Sequence, residues 1–294
     1  MRMAKIVGAV LSAMLVSGCS GKPPNVGVDE PWPGERPGKL VGVFEKIPIN
    51  AAPIQYLDVR TARRLMAEDD SGMYKGCRYY YVEDFFRFKH PSSDDDGIEF
   101  KPTLQETYGY DEKSLDTVVA ANYGSNYLTG RFDGAAIRAS GSHGLGLDLI
   151  GDDELYFGLR PPSKGKTLAD DPEYVTVADC LGDVYQAAFD LPRKGNIVYS
   201  LTAVGGRVGS DGKPESKLCS LTRSHKDADK LVKVLSALTG DGGPYRGARI
   251  SVGEGDTPMV TMTWKNTGDA GLRPGYLPVV SDGSLGRPAA ALHP

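Results

Sequence analysis

The sequence predicts an α+β fold, mainly antiparallel β-sheet with a few helices. Two observations lead there. Beyond residue 40, short runs rich in β-branched and aromatic residues, punctuated by Gly, Pro, Asn and Asp, outnumber the stretches with helical spacing. These runs also do not alternate one for one with helices, as parallel βαβ units require. The chain has 294 residues, 40% of them apolar and 24% charged, a globular composition long enough for one large or two small domains.

Taken in order, residues 40–49 (LVGVFEKIPI) read as a first strand. Val59–Glu68 reads as a helix with Asp58 as its cap, and residues 78–88 (RYYYVEDFFRF) as a second strand. Residues 112–121 read as a helix with Leu115, Val118 and Val119 on one face. Residues 145–150 and 155–159 (LGLDLI, LYFGL), joined by GDDE, form a hairpin pattern. Further strands are expected over residues 174–177, 185–189, 197–204, 218–222, 249–252 and 259–264. Between them lies the firmest helix: Ser224 and Asp227 have capping-box spacing, Leu231, Val234, Leu235 and Leu238 recur at i, i+3, i+4 and i+7, and Gly240 ends it. No internal repeat is clear. Two subdomains meeting near residues 161–171 fit the order of elements.

The first eighteen residues, MRMAKIVGAVLSAMLVSG, run from the basic Arg2 and Lys5 through an apolar stretch to small residues, the order of a secretory signal. The apolar stretch is shorter than the roughly 20 residues a membrane-spanning helix needs. Its end, Val16-Ser17-Gly18-Cys19, resembles the lipobox of bacterial lipoproteins. The resemblance implies cleavage before Cys19 and acylation of that cysteine, with palmitate among the chains, so that buried methylenes hold the protein at a membrane. Ser20, where aspartate implies inner-membrane retention, implies the outer membrane, facing the periplasm. Residues 19–39, rich in Pro and Gly, read as a flexible tether, and residues 40–294 as the globular region.

Loss of residues 1–18 would remove two positive charges from a chain of net charge −4. That balance excludes a basic nucleic-acid surface, so no nucleic-acid partner is expected. After Cys19 the cysteines are Cys77, Cys180 and Cys219. In an oxidising compartment one disulfide and one remaining thiol is the simplest accounting. Cys180 with Cys219 is the expected pair, with either bonded to Cys77 as the alternatives.

Binding chemistry is richest in RYYYVEDFFRF. Tyr79, Tyr81, Phe86 and Arg87 form a candidate aromatic and cationic surface for a partner. Strands also use such rings simply to fill a core. Residues 92–97 (SSDDDG) begin like a calcium loop, but the twelfth position is Thr103, which supplies no bidentate carboxylate, so an acidic turn is expected. Residues 152–154 (DDE) read as a hairpin tip.

Catalytic signatures are lacking. There is no Gly-x-Ser-x-Gly elbow, no His-Glu-x-x-His helix and no phosphate-cradling glycine loop. His90, His143, His225 and His293 lie far apart, and Ser142 beside His143 sits in a glycine turn where adjacent side chains diverge. No catalytic residue, metal site or cofactor is therefore expected. A lipobox, a tether, a strand-rich acidic domain and aromatic strands together resemble the immunity lipoproteins that neutralise phospholipase effectors of type VI secretion. That resemblance implies inhibition of a toxin by occlusion, with acidic loops steering a basic partner. The alternative is an envelope assembly lipoprotein that binds peptidoglycan, a glycan or an outer-membrane protein.

Overall fold

A computed structural model describes residues 40–51, 53–68, 108–121, 125–140, 146–159, 165–191, 198–239 and 245–266. They fall in one compact unit, residues 36–294. Cys19 and the leader, the tether, Cys77, the stretch holding Tyr79, Tyr81, Phe86 and Arg87, the turn at 92–97 and the loop at 141–144 lie outside the described residues.

The described elements are α1 (Leu40–Phe44), β1 (Ile54–Asp58), α2 (Val59–Glu68), β2 (Leu115–Ala121), β3 (Ser125–Gly130), α3 (Gly134–Ala139), β4 (Leu147–Ile150) and β5 (Glu154–Phe157). They continue with α4 (Pro172–Leu181), β6 (Gln186–Asp190), β7 (Leu201–Val208), β8 (Pro214–Leu221), α5 (His225–Thr239), β9 (Arg249–Val252) and β10 (Met259–Lys265). The strands form one sheet in the order β4-β5-β3-β2-β1-β6-β7-β8-β10-β9, and every neighbouring pair is antiparallel. The mainly antiparallel α+β expectation holds.

Three local expectations are overturned. Residues 40–44 are a short helix that brings Leu40 and Phe44, one turn apart, into the core. Residues 174–177 belong to α4, where Tyr174, Val177, Ala178 and Leu181 form a buried stripe. Its start is explicit: Asp171 accepts from the Glu173 amide at 2.9 Å, and Pro172 occupies the first turn, where its missing N–H costs nothing. Residues 115–121 are a strand, preceded by a single 3₁₀ turn at Glu112–Ser114. Val118 and Val119 therefore point to opposite faces and into different core clusters.

The backbone plan repeats. From the centre outward, the first five strands run β1, β2, β3, β5, β4 and the second five run β6, β7, β8, β10, β9. In each half a helix precedes the innermost strand (α1, α4) and another links the third strand to the fourth (α3, α5). The halves meet where β1 pairs with β6, with Ile54 opposite Phe189 and Tyr56 opposite Ala187, a register that a two-fold axis through the Gln55–Ala188 pair maps onto itself. Following the register outward puts Tyr127 in the place of Cys219, Leu155 in that of Val260, and Leu147 in that of Ile250, each member of a pair on the same face. The main departure is α2 and the chain up to residue 107, inserted between the first two strands of the first half. Strands from before and after residues 161–171 thus share one sheet.

Packing follows the two faces. On one, α1 and α4 cover the seam with Phe44, Tyr174 and Phe189 in mutual ring contact at 5.3 to 5.8 Å. On the other, Leu65, Leu128 and Ile137 centre one cluster beneath α2 and α3, while Leu231, Leu235 and Trp264 centre another beneath α5. Cys180 of α4 is disulfide-bonded to Cys219 of β8, which ties the seam helix to the sheet as expected.

Candidate functional site

An open concavity lies at one end of the sheet, where β4 is the edge strand among the described residues. The local sequence builds it in three steps. Asp133 leaves β3 in extended conformation and caps α3, accepting from the amides of Ala135 at 2.8 Å and Ala136 at 3.1 Å. This turns the chain over the sheet, and Ile137 buries itself beneath α3 with 1% exposure. The hairpin of β4 and β5, joined through Gly151 at φ +66°, then runs under α3 with Leu147, Leu155 and Phe157 inward.

Between α3 and β4 lies an open groove of about 410 Å³ lined by Gly134, Ile137, Arg138 and residues 147–151. A side chain at Gly134 would begin 3.2 Å from the Leu149 Cδ2 atom and 3.3 Å from Arg138 Nη1, so the glycine keeps the groove's width. Leu149 is half-buried, and Asp148 and Ile150 are exposed on the other face of the strand. Asp133, Asp152 and Asp153 are exposed at the same end, with Arg131 and Arg138 as the bases. Behind this rim, Lys46 bonds Glu154 at 2.6 Å. Burial, and then the Glu154 carboxylate, hold the Tyr156 hydroxyl well above the ordinary phenol range. Aliphatic side chains, a carboxylate and a guanidinium can seat and steer a polypeptide.

No family model, no curated protein and no solved structure matches this chain.

Of the residues singled out from sequence, the structure brings Cys180 and Cys219 together and places residues 152–154 at the hairpin tip beside the groove. Tyr79, Tyr81, Phe86 and Arg87 lie outside the described residues. The groove was missed because α3, a six-residue helix of modest pattern, carries no strong sequence signal. Its one readable mark is Asp133 before GAAIRA, a cap followed by helix formers.

Proposed function

We propose that this is a lipid-anchored protein of the outer membrane, facing the periplasm, that acts by binding another protein, and specifically that it is an immunity protein blocking a secreted phospholipase-type toxin by occlusion. The observation that carries the binding part is the open edge groove with its acidic rim, a surface suited to seating and steering a polypeptide. The location rests on the lipobox ending at Cys19, and the toxin-blocking form on the architectural resemblance.

The test has two arms. Cys19→Ser is expected to leave the precursor unprocessed and absent from the outer-membrane fraction; unchanged processing and fractionation of that variant rejects the anchor. The mature protein in detergent is expected to retain a lipase encoded by the adjoining gene and to abolish its phospholipase activity at equal molar amounts. Full lipase activity in the presence of excess protein, together with retention on purified peptidoglycan, rejects the immunity reading and favours the envelope-assembly alternative.

A further inference from the structure

We propose that β4 accepts an extended segment of a partner protein as an eleventh strand, with apolar side chains on the α3 side and basic side chains on the opposite face. This deepens the protein-binding reading and rests on it.

The backbone supplies the docking groups. The Gly158 amide donates to the Gly146 carbonyl at 3.2 Å, which marks that pair as a bonded one in the β4–β5 ladder. Bonded pairs alternate in antiparallel strands, so Asp148 and Ile150 spend their backbone groups on β5, whereas Leu147 and Leu149 turn theirs outward along the edge. Among the described residues no strand lies beyond β4. Natural edges are blunted by shortness, charged side chains, proline or bulges, and of these β4 has its four-residue length and Asp148. The β4 sequence LDLI has no proline or lysine, its register with β5 is unbroken, and it leaves Ile150 46% exposed. The other edge, β9, opens with Arg249 and runs into an exposed Gly-Glu-Gly-Asp turn at residues 253–256.

Side-chain alternation sets the chemistry of the occupant. A strand laid along β4 places every second residue in the groove against Ile137 and Leu149, which selects aliphatic side chains. Its remaining residues stand beside Asp148 and Ile150. Asp148 makes no ion pair among the described residues, and Asp133, Asp152 and Asp153 add to the negative end, where Arg131 and Arg138 are the bases described beside them and Lys46 is already paired with Glu154. The rim therefore selects lysine or arginine in the occupant. A second copy pairing β4 with β4 in the register that sets Leu147 opposite Leu149, and so uses both outward residues, would juxtapose the two Asp148 carboxylates, an unfavourable cross-strand pair.

The probe is an acetylated hexapeptide alternating valine and lysine, added to the mature full-length protein in detergent, with amide hydrogen exchange followed by NMR. The expected result is saturable binding that slows exchange at Leu147 and Leu149 and leaves Asp148 and Ile150 unchanged. The valine–glutamate peptide is expected to bind at least about tenfold more weakly, and Asp148→Lys to abolish that preference. Leu149→Pro removes an outward N–H without touching a β5 ladder bond, and is expected to abolish the protection. Overturning results are no binding of the lysine peptide, protection elsewhere, or an unchanged preference in Asp148→Lys. Concentration-dependent dimerisation that protects the same amides without peptide would assign the edge to a second copy and overturn the proposal too. A protein partner whose affinity ignores both variants overturns strand addition but leaves the protein-binding reading standing. Peptide binding without any protein partner does the reverse.

Discussion

At Gly130, the last residue of β3, the 3₁₀ turn that leads into β2 comes too close for any side chain. A methyl group there would run directly into the Ser114 carbonyl oxygen, which already accepts from the Arg131 amide at 2.8 Å. The approach arises where the β2–β3 register shifts between Leu115 and Thr117. Gly130→Ala is therefore expected to cost about 2–3 kcal/mol through forced backbone movement, lowering the melting temperature by about 2–4 °C for each kcal/mol. An unchanged melting curve would show that the strands can part freely at this point. Nothing in the sequence around Gly130 announced the constraint, because the clash is with a residue sixteen positions earlier. The Cys180–Cys219 pair was more legible. Few cysteines were on offer, the compartment was inferred from the leader, and only three pairings existed.

At the scale of elements, α5 shows what local signals can do. The Asp227 amide donates to the Ser224 hydroxyl at 3.2 Å, that hydroxyl bonds the Asp227 carboxylate at 3.1 Å, and Lys230 bonds the same carboxylate at 2.8 Å. The bond from Lys230, with the smaller one from Ser224, holds the Asp227 carboxyl below the ordinary carboxylate range. A lowered folded-state value means the contribution is present above the ordinary carboxylate pKa and fades as pH falls through the lowered one. Ser224→Ala is expected to cost about 1 kcal/mol by urea unfolding at neutral pH. Asp227→Asn is expected to lower the urea midpoint more at about pH 7 than at about pH 3, as the wild-type carboxyl begins to take up its proton. A loss of equal size at both pH values would contradict the charge argument. Cap signals worked for α2 as well, where Asp58 accepts from the Thr61 amide at 2.7 Å. They were equally present at Asp171-Pro172, and reading residues 174–177 as a strand ignored them. In residues 112–121 the error ran the other way. Leu115, Val118 and Val119 suit one helical face, but pairing with β1 and β3 on both sides outweighs that preference, and β-branched residues fit the pleat.

For the whole molecule the decisive feature is the seam between the two halves. Phe189 of β6 is 2% exposed and meets Phe44 of α1 at 5.3 Å, Tyr174 of α4 at 5.6 Å, and Ile54 of β1 across the ladder. Its truncation removes contacts belonging to both halves at once. Phe189→Ala is expected to cost about 3–5 kcal/mol. Because the sheet and the seam cluster are continuous, the wild type is expected to unfold in one transition, with tryptophan fluorescence and far-UV circular dichroism coinciding. Two separated wild-type transitions would mean that the halves fold independently. The sequence by itself determined the fold class, the capped helices α2 and α5, the β4–β5 hairpin and the disulfide accounting, all of which depend on residues near one another or on very few choices. Only the tertiary structure decided that the chain repeats its plan about β1 and β6, that β4 ends the sheet among the described residues, and that α3 roofs a groove beside it. The physical reason is that strand order is set by which faces and ladders satisfy one another across more than a hundred residues. The repeat lies in register and facing, while equivalent positions hold unlike residues, such as Tyr127 and Cys219, so it is not legible in the order of residues.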